Sequence, residues 1–173
     1  ERMKTIFEIS DAISISPVIR SLRRYTLPFT ASKYYNIHQI GYTLESYIVH
    51  KPLIQQIYIH CPQLKCLVNF DHIYTKENQY DSIIEKNLHL SEETFHALTA
   101  AQHQYDLYVT DDGERLLLFK TISTSLEDNS PTLTLVMVLN HSTFASMLED
   151  TAQTFQAQLE IQLPADCFLG APV

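Results

Sequence analysis

Glycine is scarce in this chain: three of 173 residues (Gly41, Gly113, Gly170), about 2% against the roughly 7% usual in proteins. None lies near another, so neither a G-x-G-x-x-G turn nor a P-loop can be written, and nucleotide sites of those kinds are excluded. Basic residues are also few. Twelve Lys and Arg against twenty Asp and Glu leave a net charge of −8, the wrong sign for a chain whose main partner is a nucleic-acid backbone. Any DNA binding is therefore expected outside this chain. No apolar run approaches the ~20 residues that span a bilayer; residues 135–139 make only a strand-length stretch. Three cysteines are too few for a disulfide framework. Cys61 and Cys66 flank Pro62-Gln63-Leu64-Lys65, a plausible hairpin loop, and either a bridge between them or two buried thiols fits that spacing. The chain starts at Glu1 and stops at Ala171-Pro172-Val173, which reads as a piece of a longer protein.

The composition, 45% hydrophobic and 18% charged, suits one domain that buries a core. Met3, Ile6 and Ile13 follow a helical period, and Ser16-Pro17 restarts it with a helix-start signal. Val18, Ile19 and Leu22 form the next apolar stripe, with Arg20, Arg23 and Arg24 on a solvated face. A longer helix is expected from about Ser32 to His50, carrying Tyr34, Ile37, Ile40, Leu44, Tyr47 and Ile48, until Pro52 stops it. The period then becomes two. Ile57 and Ile59, then Cys66, Val68 and Phe70, predict a β-hairpin. Residues 72–90 read as irregular, and Ser91-Glu92-Glu93 opens a helix whose buried side is Phe95, Leu98 and Ala101. Three strands follow: 105–110, a turn at Asp111-Asp112-Gly113, 115–123, and 133–139. Ser142 is expected to cap a helix through Phe144, Met147 and Leu148, and Leu159, Ile161 and Leu163 to make a last strand. The expected fold is α+β, long N-terminal helices on an antiparallel sheet. We divide it into a helical region 1–52, a sheet domain 53–152, and a C-terminal strand and tail 153–173.

Four segments carry a resemblance. They are the first helix with its Ile15-Ser16-Pro17-Val18 break, the strand from Gln56 to Pro62, the Tyr105 to Val109 strand with its Asp-Asp-Gly113 turn, and the run from Leu135 to Phe144. In these the chain resembles extracytoplasmic Cache (PAS-like) sensor domains, above all those of bacterial membrane-bound regulators that carry an AraC-type DNA-binding module. The resemblance covers most of residues 1–150. It implies a PAS-like five-stranded sheet and a domain outside the membrane, between two membrane-spanning helices in flanking segments. It further implies a transcription regulator in signal transduction, relaying ligand occupancy through its long helix to a cytoplasmic output; histidine kinases and chemoreceptors carry similar sensors. The amino-acid-binding subset clamps its ligand with Arg and Trp. This chain has no Trp, and Arg115, its only Arg beyond Arg24, follows a turn and is expected in solvent, so that ligand class does not carry over.

No catalytic, metal or cofactor motif is present. His89, His96 and His103 are spaced by seven, about 10 Å apart along a helix, and no H-x-x-x-H, Cys-x-x-Cys or G-x-S-x-G occurs. A non-enzymatic ligand site is the expectation. On strands whose other parity is apolar, Tyr58, His60, Asp106 and Tyr108 stand off the pattern and Lys120 interrupts it. Polar groups in such places are costly unless solvated, paired or bound. We take these five as candidates for a small-molecule site beneath the short helix and irregular loop: Lys120 for an anionic group, Asp106 for a cation or hydroxyl, the tyrosines for stacking and hydrogen bonds. The alternative is a ligand-free dimerisation or protein-interaction module working through the N-terminal helix.

Overall fold

A computed structural model describes residues 2–49, 52–122, 132–146, 149, 161–162 and 168–169. The N-terminal region is helical. Helix α1 (Arg2–Ile15) buries Ile6, Ile9 and Ile13 along one stripe, the spacing of an amphipathic helix. The break falls at Ser16, whose Oγ accepts from the Ile19 amide at 3.4 Å as Pro17 opens α2 (Pro17–Arg20). A 3-10 turn (Ser21–Arg24) follows. Ile19 and Leu22 are buried while Val18 is exposed, because the short helix meets the core along one edge. Helix α3 (Ala31–Tyr42) starts where Thr30 Oγ1 accepts from the Lys33 amide at 3.2 Å. The single helix expected to reach His50 is two: a turn at Thr43 and Leu44 separates α3 from α4 (Glu45–Ile48). Burial of Ile37, Ile40 and Leu44 survives this bend.

The sheet contains β1 (Ile54–Cys61), β2 (Cys66–Val68), β3 (Ile73–Thr75), β4 (Asp106–Val109), β5 (Leu116–Ile122) and β6 (Leu133–Leu139). Its order is β3-β2-β1-β6-β5-β4, with every pair antiparallel. That is one strand more than the five expected. The additional edge strand, β3, and helix α5 (Tyr80–Lys86) both lie in the stretch read as irregular. Helix α6 (Glu92–Ala100) has the expected Ser91 cap, whose Oγ accepts from the Thr94 amide at 3.1 Å. Phe95 is buried and Leu98 partly so, but Ala101 is exposed because α6 has already ended. Residues 141–146 are helical. Their cap is Asn140 and not Ser142: Asn140 Oδ1 accepts from the Thr143 amide at 3.1 Å and from Ser142 Oγ at 2.8 Å. Met147 and Leu148 lie outside the described residues, as do Leu159 and Leu163. Ile161–Gln162 (β7) pairs antiparallel with Phe168–Leu169 (β8).

Both sheet faces are covered. Cross-strand partners share a face, so the register sorts the side chains. Ile59, Leu135 and Lys120 form one row, and Tyr58, Val136, Phe119 and Asp106 form a row on the opposite face. The first face packs with the N-terminal helices into a core that includes Ile13, Ile37, Ile57 and Met137. The second packs under α5 and α6 around Tyr58, Tyr80, Phe95 and Phe119. None of the described helices is long and apolar enough to cross a membrane.

Candidate functional site

The second face carries the polar groups that invite a ligand. On β1, His60 sits one pleat beyond Tyr58, at the end leading into the Pro62–Leu64 turn. His60 is 5% exposed. The Tyr80 hydroxyl lies 3.3 Å from its Nε2, and its ring meets Phe95 edge-on at 5.1 Å. Nδ1 is buried and has no hydrogen-bond partner among the described residues. Burial, with a smaller push from His96, lowers the His60 pKa to about 4, so the imidazole is neutral at pH 7. Burial likewise pushes the Tyr80 phenol up, which keeps it a hydroxyl able to donate or accept.

Beside this pair opens a cleft of about 390 Å³ lined by His60, Pro62, Lys65, Lys76, Tyr80 and His96. Pro62 and Lys65 come from the β1–β2 turn, where Lys65 takes the left-handed conformation (φ 49°). Lys76 follows β3. Its ammonium donates to Asp81 Oδ1 at 2.7 Å and also to Glu92 Oε1, and it stands 5.2 Å from the Tyr80 ring centroid. These contacts raise the Lys76 pKa, Asp81 foremost, and hold Glu92 below its usual value, Lys76 foremost. His96 Nε2 lies 3.3 Å from the same Glu92 carboxylate. Lys65 makes no ion pair among the described residues. The rim therefore offers one uncommitted cation and one held in a carboxylate network, over a floor of neutral imidazole and phenol. Such a set suits a small anion that also carries a hydrogen-bonding atom. No metal-holding group of three His, Cys, Asp or Glu occurs among the described residues.

Only one of the five sequence candidates lines this cleft. Tyr58 is buried beside it, its hydroxyl accepting from Asn87 Nδ2 at 3.1 Å, and burial raises its pKa. Arg115, expected in solvent, is half-buried and donates through Nε to the Asn87 carbonyl at 3.2 Å. Asp106 and Tyr108 share the face but sit on β4, three strands from β1, roughly 14 Å at the ordinary strand spacing. Leu117, Phe119, Val136 and Val138 fill the gap. Asp106 Oδ2 lies 2.5 Å from His103 Nδ1, and the Tyr108 hydroxyl donates to Asp111 at 3.4 Å. The five-residue site is thus not one site. Pro62, Lys65, Lys76, Tyr80 and His96 escaped the sequence reading because they come from a turn, the stretch 72–90 read as irregular and an exposed helix face, where polar residues are ordinary.

Lys120 requires the clearest correction, since its row with Leu135 and Ile59 puts it on the other face. There, 12% exposed, it donates to Asp11 of α1, which also accepts from the Tyr105 hydroxyl. Its ammonium stands 4.0 Å from the Tyr105 ring centroid. The group pins α1 to β5. The Lys120 hydrogen bond, then that from Tyr105, lowers the Asp11 pKa, so the stabilisation is present above the unfolded value of about 3.9 and lost as pH falls through the folded one. With Asp11 half exposed, screening keeps this modest. Asp11→Asn is expected to cost about 1 kcal/mol in urea unfolding, less at high salt. Lys120→Met, which removes the buried charge itself, is expected to cost less than Lys120→Ala. Equal losses for Met and Ala at Lys120 would refute this account.

No family model matches the chain, and neither a curated protein nor a solved structure does.

Proposed function

We propose that this chain is the ligand-sensing domain of a membrane-bound signal-transduction protein, taking a small anionic molecule into the His60 cleft. The observation that carries the reading is the buried His60, its Nδ1 without a partner among the described residues, at a cleft that also holds Lys65 and Lys76. A buried nitrogen left unpaired costs free energy that a ligand atom or water recovers. The open antiparallel sheet, with α5 and α6 inserted between its two halves, is compatible with a PAS-like fold. In the Cache reading the domain lies outside the membrane and its output, an AraC-type DNA-binding module, belongs to another part of the protein. Occupancy of the cleft biases two arrangements of the N-terminal helices, a population shift with no chemistry on the ligand.

The test is a thermal-shift screen with monocarboxylates, dicarboxylates and phosphate monoesters, followed by calorimetric titration. A ligand from these classes is expected to lose about tenfold to a hundredfold in affinity on Lys65→Ala, the range of one charged hydrogen bond. His60→Phe is expected to weaken it as well. A screen without a hit, or a ligand indifferent to both changes, refutes the cleft. The interaction-module reading is favoured by a different observation: Tyr35 and Tyr42, seven residues apart on α3, are 63% and 55% exposed, two turns along one helix face.

A further inference from the structure

Cys61 and Cys66 are opposed residues in the β1–β2 ladder, the first pair beyond the Pro62–Leu64 turn. Opposed residues of antiparallel strands lie about 4.5–5.5 Å apart at Cα, with side chains on one face. A disulfide needs Cα atoms about 4.4–6.8 Å apart and converging Cβ vectors. Both thiols are fully buried on the N-terminal-helix face, where Cys61 Sγ donates to the Ile59 carbonyl at 3.8 Å. The ladder thus provides the separation and orientation that a bridge requires.

We propose that Cys61 and Cys66 are a dithiol–disulfide site that closes when the chain folds in the presence of a low-molecular-weight disulfide, stapling the hairpin that forms one wall of the cleft. One cysteine thiolate attacks a sulfur of the small disulfide, forming a mixed disulfide and expelling one small thiolate. The second protein thiolate attacks the protein-side sulfur, forming the Cys61–Cys66 bond and expelling the other. Two protein thiols lose two protons and two electrons; the small disulfide gains them and becomes two thiols. Because the folded site is closed to solvent, and contact with Cys66 together with burial pushes the Cys61 thiol up, the first attack belongs to the unfolded or opened hairpin. The ladder register then favours closure over mispairing. The site is independent of the ligand reading and stands or falls without it.

The experiment uses the full chain carrying Cys167→Ser, unfolded and refolded in a glutathione redox buffer or in dithiothreitol, then alkylated and digested with trypsin. Cleavage after Lys65 puts the two cysteines in separate peptides that only a disulfide keeps together. The expected result is a glutathione-refolded protein lighter by two hydrogens, unalkylated, with those peptides linked. Its thermal midpoint is expected about 4–8 °C above that of the reduced protein, the effect of closing a short loop in a domain of this size. The increment is expected to be absent in Cys66→Ala, with Cys61→Ala as a second variant should the first not fold. Two alkylated thiols after refolding, a persistent glutathione adduct, an intermolecular disulfide, or a bridged protein with a lowered midpoint would each overturn the proposal.

Discussion

Lowering the pH from 7 to 4 is expected to remove about 3 kcal/mol of stability, and His60→Phe to abolish most of that loss. His60 is buried beneath α5 and α6, and burial followed by the neighbouring His96 lowers its pKa to about 4, against about 6.5 in the unfolded chain. The unfolded chain therefore takes up the proton first. Stability is complete above pH 6.5, falls as pH drops from 6.5 to 4, and has lost the whole contribution below that. A difference of roughly 2.5 pK units at 1.36 kcal/mol each sets the scale. The carboxylates whose pKa values the fold lowers, Asp11, Glu92 and Asp112, lose their contributions at more acid pH, so the windows separate. Urea unfolding at intervals from pH 7.5 to 4 measures the slope. An unchanged slope in His60→Phe, with His60→Gln as the less apolar control, would show that another group carries the protons. The same titration bears on the cleft, since a ligand accepting a hydrogen bond from His60 would favour its protonated form.

Gly41→Val is expected to lower stability by about 3 kcal/mol or more, at the top of the range for overpacking, and the thermal midpoint by about 6–12 °C in a domain of this size. Helix α3 crosses the end of β2 so closely that a Cβ at Gly41 would stand 2.4 Å from the Asn69 carbonyl oxygen and 2.8 Å from Val68 Cγ1. The nearer atom is backbone, and that backbone is fastened. The Asn69 amide donates to the His72 carbonyl at 3.0 Å, and Asn69 Oδ1 accepts from the amides of Asp71 and His72 at 3.1 and 2.8 Å. Relief must therefore come from α3 moving off the sheet, which opens the contacts of Ile37 and Ile40. Gly113→Ala makes the control: its φ of +72° disfavours a side chain, but among the described residues nothing lies within 4 Å of the added Cβ, so only about 1 kcal/mol is expected. A Gly41→Val midpoint within a degree or two of wild type would mean that α3 is not seated as described.

Local signals in this chain are strong where a side chain bonds its own backbone neighbourhood. Ser16, Thr30 and Ser91 each accept from an amide three residues on. The β4–β5 turn closes through Thr110, Asp112 and Gly113, with the Gly113 amide donating to the Thr110 carbonyl at 2.7 Å. The Ser16 and Ser91 starts and the Asp111-Asp112-Gly113 turn are written in residues that act within one turn of chain, and so they read correctly; the Thr30 cap is of the same kind, but the expected start near Ser32 passes over it. Helix α5 lacks such a mark. It begins after Gln79 in the left-handed region with no side-chain cap, and spans only seven residues. Its stability comes from Tyr80, Ile83 and Ile84 packing on the second sheet face, a long-range effect that a window of sequence does not contain.

By itself, then, the sequence determined the α+β class, the antiparallel hairpins, the buried stripes of α1 and α3, and the polar parity of Tyr58, His60, Asp106 and Tyr108, because periodicity and capping are properties of neighbouring residues. Only the tertiary structure decided which candidates meet. Alternation says which side chains of one strand share a face, but the register between strands says which faces are the same, and it placed Lys120 with Ile59 and not with Tyr58. Strand order then set Asp106 three strands away from Tyr58, while the β1–β2 turn, the residue after β3, and helices α5 and α6 brought Lys65, Lys76, Tyr80 and His96 around His60. Convergence of this kind is fixed by packing across the chain, and no local pattern encodes it.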